Sequence, residues 1–399
     1  MYVGSSDVSA EIIIVGAGMA GTTLAAVLGQ QGCRVILADP HPRCPRIFKA
    51  EKVDQEHVRL LRKFGLLDHL LPDSRRWSEV RVGFDGRVFR TLRTEQYGIN
   101  YADMVNALRA NLPAAVENRC ESVELIANSG QVQRVKLRSG EELTCRLAVV
   151  ASGTSSEFLA NLKLQRRVIQ KDQSVVLGFD VEASAAQPFD FDSAVYYSVR
   201  PSTRIGYLTL FKVRDTMRAN LFVYRSAYDP WVREFILEPD RMLRRYLPGL
   251  SRVTGDFRVI RPVESGCIEL CRVDGNPQPG VVLIGDAFQG ACPSTGLGLS
   301  KVLTDVDVLS GCIPQWLATP GMGTEKLMDL YENPRKQAAD SRALRRSHDD
   351  RCVAIDRSVR WQIHRSLLHL KWQLSGRIGT QPRRSGFAGV NRAAFDKLQ

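Results

Sequence analysis

The chain opens on a compact aliphatic block. Glu11 leads into Ile12-Ile-Ile-Val15, then Gly16-Ala-Gly18-Met-Ala-Gly21, then an apolar-periodic stretch to Gln31. A four-residue aliphatic run is too short for a helix and suits a strand buried on both faces of a parallel sheet. After Gly32 a second short run, Arg34-Val-Ile-Leu-Ala38, ends on Asp39. The pattern predicts strand, tight turn, helix, strand. Apolar residues at 58, 60, 61, 64, 67 and 70 predict a helix over Gln55–Leu71. Asp85-Gly86 between alternating segments predicts a hairpin, and another helix is expected over Tyr101–Leu112. Strand-like segments fill 115–150 and end in Leu147-Ala-Val-Val150.

Beyond Val175 the texture changes to alternating strands, expected at Val175–Val181, Val195–Val199, Ile205–Phe211 and Ala219–Tyr224, with a helix over Trp231–Tyr246. A buried parallel-type strand returns at Val281-Val-Leu-Ile284, followed by a helix over Gly298–Leu309 and further helices to about Leu374. The expected fold is α/β. Residues 1–172 and 275–340 form a discontinuous Rossmann-like domain. Residues 173–274 form an inserted, mostly antiparallel substrate sheet, and 341–399 a basic helical C-terminal segment.

The Gly16, Gly18 and Gly21 triad sits where a dinucleotide fingerprint requires it. The first glycine permits the tight turn, the second lets backbone N–H groups approach a pyrophosphate, and the third lets helix and strand pack closely. The helix N-terminus favours the phosphate charge. Asp39 ends the second strand, where a carboxylate can accept both ribose hydroxyls. A second constellation reads Gly285-Asp286-Ala287, then Pro293-Ser-Thr-Gly296-Leu-Gly298-Leu299-Ser300. A carboxylate at this strand end can hold a second polyol. Gripping one ligand at two separated points is what extended FAD requires and a simple NAD site does not.

At these motifs the chain resembles the FAD-dependent monooxygenases of the para-hydroxybenzoate hydroxylase and ubiquinone-hydroxylase type, over roughly residues 10–345. The resemblance implies that Gly16, Gly18, Gly21 and Asp39 bind the ADP half, with Arg46 near the phosphates or the nicotinamide cofactor. It implies that Gly285 and Asp286 bind the ribitol side, and that Pro293, Gly296, Gly298 and Leu299 lie along the isoalloxazine. Pro293, Gly298 and Leu299 are its catalytic candidates, and the Gly298–Leu299 backbone would stabilise negative charge on the reduced ring. The implied reaction inserts one O2-derived oxygen into an aromatic or polycyclic small molecule through a flavin C4a-hydroperoxide, with NADPH or NADH as reductant. Same-fold reductases, oxidases and halogenases are the alternatives, and a peripheral membrane or scaffold protein with structural FAD is a more distant one.

The chain departs from the family pattern at four points. Gln289 stands where a His is usual, Ala151-Ser152-Gly153-Thr-Ser-Ser156 replaces Ala-Asp-Gly-x-x-Ser, Tyr101 replaces an Arg, and Ser300 replaces an Asn. The Ser152 change bears on direct reduction by NADPH. A second dinucleotide fingerprint, a redox Cys pair and a Trp-x-Trp motif are all missing, which argues against disulfide reductases and tryptophan halogenases. Lys49 and Lys52 are read as surface or phosphate-facing lysines rather than halogenase lysines.

Composition adds exclusions. The six histidines stand at 41, 57, 69, 348, 364 and 369, so a Ser-His-Asp hydrolase or His-ligated zinc site centred between Leu70 and Ser347 is excluded and no metal is expected. No general base stands out. Phe179, Tyr196, Tyr207, Phe211 and Phe222 are the aromatic candidates for the substrate wall, half of them core by strand alternation. Nine cysteines without a C-x-x-C pair, and an N-terminus without a signal-like layout, lead to an expected cytoplasmic location. The net charge of +12 has an address, since residues 335–399 carry +10 of it. That segment interleaves Arg with Trp361, Trp372 and aliphatics. A solvated basic face packed on the FAD domain is preferred over a peripheral membrane or protein contact, and nucleic-acid binding is not expected.

Overall fold

The computed structural model describes residues 8–155, 159–185, 187–198, 200–275 and 277–375. Val199 and Ser156 of the sequence reading lie outside them.

Ile12–Val15 is the central strand of a five-stranded parallel sheet. The spatial order is Val281–Leu283, Leu147–Val150, Ile12–Val15, Val35–Ala38, Val116–Arg119. Strand alternation splits the aliphatic run between two cores. Ile12 and Ile14 pack with Leu24, Leu28 and Leu303 of the helices Met19–Gln30 and Gly298–Leu317. Ile13 and Val15 pack with Val123, Val135 and Leu143 of a small antiparallel sheet on the opposite face. A strand covered on both sides has no polar face, which is why the run reads as unbroken aliphatic sequence.

The second sheet has eight strands, in the order Phe257–Asp274, Gln165–Ala183, Thr216–Val223, Ile205–Val213, Ser193–Tyr197, Arg75–Phe84, Arg87–Gly98, Lys52–Val53. It is antiparallel except where Ser193–Tyr197 runs parallel to Arg75–Phe84. Here the structure corrects the expected boundary, because the hairpin Arg75–Gly98, read with residues 1–172, pairs into this sheet. Val80 and Val82 carry an apolar face that packs with Val195 and Phe211 of this sheet. The hairpin turn itself is as expected, with positive φ at Asp85 and Gly86 (48° and 70°).

Helix boundaries differ where proline or glycine intervenes. The helix expected over Trp231–Tyr246 is two, Pro230–Leu237 and Pro239–Tyr246, because Pro239 cannot continue a helix but can start one. The helix expected over Gln55–Leu71 stops at Lys63, with Gly65 at φ 70°. Gly298–Leu317 is longer than expected, and the C-terminal segment is two helices, Pro334–Ile355 and Val359–Ser375.

Candidate functional site

Gly16, at φ 101°, turns the chain out of the first strand. A Cβ there would stand 2.7 Å from the carbonyl oxygen of Ala151, and one on Gly21 would stand 1.9 Å from that of Gly16. The close approach of helix and strand therefore excludes any side chain at either position. Asp39 ends the second strand beside this turn. Its carboxylate accepts the Ala17 N–H at 2.8 Å and the His41 N–H at 2.9 Å. Arg109, from the helix Tyr101–Ala110, donates to the Ala17 carbonyl at 2.9 Å and stands 3.5 Å from Asp39. Periodicity gave Arg109 no distinction from other helical arginines.

Tyr101, in place of the family's arginine, accepts the Met19 N–H at 3.1 Å in the first turn of the Met19–Gln30 helix. Burial, with the Asp286 charge adding to it, pushes its phenol up to about 12, so it stays neutral. Lys49 lies 5.4 Å from the Tyr101 ring centroid, while burial lowers the Lys52 ammonium to about 8. Arg46 is exposed and makes no ion pair among the described residues. Ser152 follows the strand Leu147–Val150, and its hydroxyl is buried with no partner among the described residues.

The second constellation folds as a turn over a buried charge cluster. The Gly285 N–H donates to Asp305 at 2.8 Å, and Asp305 binds Lys301 at 3.0 Å and Lys336 at 2.9 Å. Asp340 closes the square, 3.1 Å from both lysines. Burial opposes the Asp305 charge, but the two lysines and the Gly285 N–H outweigh it and hold the carboxyl below its ordinary range. Gln289, where a family histidine would stand, is fully buried and donates to the Asp340 carbonyl at 3.0 Å. Arg166, at the start of the strand Gln165–Ala183, donates to the Asp286 carbonyl at 3.3 Å and the Ser155 carbonyl at 3.2 Å. It gathers two motifs far apart in sequence.

Pro293 is exposed, Gly296 takes φ 67°, and a Cβ on Gly298 would meet nothing within 4 Å. Leu299 is different, since its side chain is core and only its backbone is left for a ligand. Beside this turn lies a cavity of about 80 Å³. Ser294 and Thr295 form one wall and Tyr197, Tyr207 and Tyr224 another. Tyr207 donates to the Ser294 carbonyl, and Tyr224 to the Ser294 hydroxyl at 3.2 Å.

Of the expected wall aromatics, Tyr207 faces the cavity and Phe222 packs behind it at 4.7 Å between ring centroids. Phe179 packs at a tilt on Phe235 in the other core, Phe211 packs on Trp77, and Tyr196 donates to the Pro248 carbonyl. Tyr197 and Tyr224, absent from the expected set, line the cavity.

The C-terminal segment, read from sequence as a solvated basic face packed on the FAD domain, also supplies walls of this cavity. Arg346 and Asp350 reach the cavity from Pro334–Ile355, and Arg365, Leu368, His369 and Trp372 reach it from Val359–Ser375. An imidazole thus joins the Ser294 wall although no histidine lies near it in sequence. Trp372 stacks on Phe89 at 5.3 Å and packs on Tyr197 at 4.9 Å. The outer face of the same helix leaves Val359, Ile363, Leu367 and Leu370 exposed. No helix among the described residues is long and apolar enough to cross a membrane, and they hold no His/Cys/Asp/Glu cluster fit for a metal ion.

Comparison with known proteins agrees with this architecture. The FAD binding domain family matches residues 9–347. The 3-amino-4-hydroxybenzoate 2-monooxygenase of Streptomyces cremeus is 25% identical over 96% of this chain and 99% of its own. The 3-demethoxyubiquinol 3-hydroxylase of Escherichia coli (strain K12) is 23% identical over 75% of this chain and 78% of its own. Among solved structures, p-nitrophenol 4-monooxygenase from Pseudomonas putida DLL-E4 superposes with a TM-score of 0.72 at 16% identity, over 98% of this chain and 97% of that one. The chain belongs to the FAD-binding domain family. Within it, the chain is an FAD-dependent monooxygenase.

Proposed function

We propose that this enzyme hydroxylates a single-ring aromatic compound, with FAD lying from the Gly16–Gly21 turn to the Pro293–Leu299 turn. The observation that carries this is the cavity, which places the Ser294–Thr295 turn, three tyrosines and Trp372 around one space. The single-ring compound in the name of the Streptomyces cremeus relative supports one ring over a polycycle.

The fit to FAD rests on features of the chain itself. Gly16 and Gly21 let strand, turn and helix close on one another with no side chain between them, and the Ser152 hydroxyl beside the turn lacks a partner among the described residues. Asp39 and Asp286 would hold the two polyol ends, Arg46 the phosphates, and Gly298 and the Leu299 backbone the ring. Bound FAD supplies O2 activation. The chain orients the ring and substrate, and its aromatic walls exclude water. NADPH or NADH is the proposed reductant.

We assign the FAD half to the parallel sheet and its helices, and the substrate wall to the eight-stranded sheet with both C-terminal helices. The exposed stripe at 359, 363, 367 and 370, beside Arg360 and Lys371, supports a peripheral contact with an anionic membrane surface. The test of function is the absorbance spectrum of the purified protein, then NAD(P)H oxidation against a panel of hydroxy- and aminobenzoates. Substrate-stimulated oxidation with a hydroxylated product is expected. A colourless preparation that takes up no FAD overturns the reading.

A further inference from the structure

Asp350 and Arg346 sit one helical turn apart on Pro334–Ile355 and form an ion pair at 3.0 Å. Both line the cavity, and Asp350, with a 13% exposed side chain, is the one acid among its lining residues. A carboxylate in an aromatic-walled space needs a hydrogen-bond donor, and one arginine leaves part of its acceptor capacity free.

The groups around the cavity that Asp350 shares come from five elements. Its own helix brings Arg346 and the like charge of Asp349. The sheet brings Tyr197, Tyr207 and Tyr224, whose phenols burial holds well above their ordinary range. The Ser294 turn adds the Cys292 thiol, also raised by burial. The last helix contributes Arg365 and His369, and a loop contributes Arg200. The phenols and thiol stay protonated at neutral pH and cannot take a proton. His369 packs against Phe84, with ring centroids 4.7 Å apart. Burial and the Arg365 charge lower its imidazole and disfavour protonation there, whereas the Asp350 carboxylate has a cation already placed against it. Burial lifts it to about 6, with Arg346 opposing and Asp349 adding, close to the operating pH that suits a general base.

We propose that Asp350 is the proton acceptor for a hydroxyl group on the aromatic substrate, with Arg346 as the positioning residue that orients the carboxylate. This rests on the aromatic-hydroxylase reading above. The substrate O–H bond breaks and its proton passes to a carboxylate oxygen of Asp350. The electron pair stays on the substrate oxygen and enriches the ring that receives oxygen, and Arg346 faces the negative charge.

The test titrates FAD-loaded enzyme with 3-amino-4-hydroxybenzoate and with its 4-methoxy ether, following the flavin difference spectrum across pH. The ether keeps the amine and carboxylate but has no proton to give. Wild type should bind the phenol about tenfold more weakly at about pH 5 than at about pH 8, relative to the ether. Asp350→Asn should abolish that difference and Asp350→Glu should keep it, with flavin content confirming that each variant is folded. Equal pH dependence for phenol and ether, or an unchanged slope in Asp350→Asn, overturns the assignment. Binding of neither probe overturns the hydroxyl-bearing aromatic class for this cavity. A colourless protein would instead be failure of the flavin reading, so the two failures are distinguishable.

Discussion

The carboxylate of Asp305, inside a helix, accepts the backbone N–H of Gly285 at 2.8 Å and so fixes the turn that presents Asp286. The same carboxylate holds the buried ammonium groups of Lys301 and Lys336. With Asp340, two positive and two negative charges thus neutralise one another in a buried cluster, an arrangement that tolerates the loss of no single member. Asp305→Asn leaves a lysine uncompensated. It should destabilise the protein by about 3–5 kcal/mol and release flavin at lower temperature. Thermal unfolding followed by flavin fluorescence checks this, and an unchanged midpoint would show that the cluster is not structural.

The glycines of the two turns should respond differently to the same added methyl. Gly21→Ala places a Cβ 1.9 Å from backbone, which no rotamer change relieves, so the protein should lose its flavin site. Gly298→Ala meets nothing within 4 Å and starts a helix, where alanine gains up to about 1 kcal/mol. Its fold should survive while flavin affinity or turnover drops. Full activity in Gly298→Ala would mean that the flavin does not pass there.

Asp350 also makes a stability prediction, and its sign is set by the direction of the shift. The folded carboxyl titrates at about 6, above its ordinary value of 3.8, so the folded state binds this proton more tightly than the unfolded chain does. The resulting stabilisation is complete below about 3.8 and is lost as pH rises through about 6. Asp350→Asn should therefore gain stability over wild type as pH rises through this window, reaching about 1–3 kcal/mol. Chemical denaturation of both proteins across that range is the measurement. A constant difference would contradict the shifted titration.

Trp372 closes the cavity against Phe84, Phe89 and Tyr197. Trp372→Ala should keep FAD, because none of these contacts reaches the parallel sheet, yet it should admit water beside the flavin. The expected signature is a raised yield of hydrogen peroxide per NAD(P)H oxidised, with weaker substrate binding. Coupling equal to wild type would show that this helix does not seal the site.

The outer face of that helix gives a separate prediction. Ile363→Glu with Leu367→Glu changes two side chains that are 55% and 51% exposed, so the fold should be unaffected. Co-sedimentation with anionic phospholipid vesicles should fall at least several-fold if the stripe meets a membrane surface. Wild type that fails to sediment removes the membrane proposal.

Local pattern was enough for the parallel sheet and both turns. Ile12–Val15 is aliphatic throughout because it is buried on two faces, and Gly16 and Gly21 are glycines because backbone occupies the space of a side chain. These constraints dictate residue type position by position and so leave their mark in sequence. The cavity left no such mark. Asp350 and Trp372 stand in what reads as a basic helical tail, and the charge excess there suggests a solvated face. Tertiary packing turns Arg346, Asp350, Arg365 and His369 toward Ser294 and Thr295. Which charged residue of an amphipathic helix meets a cavity depends on how the helix is rotated against its neighbours, and sequence spacing does not carry that angle. The hairpin Arg75–Gly98 shows the same limit, since alternation marks an apolar face but not the sheet that will cover it. The sequence by itself determined the dinucleotide fold and its glycine turns. Only the tertiary structure decided which strands and helices enclose the substrate, because contacts between distant segments depend on packing orientation rather than on local periodicity.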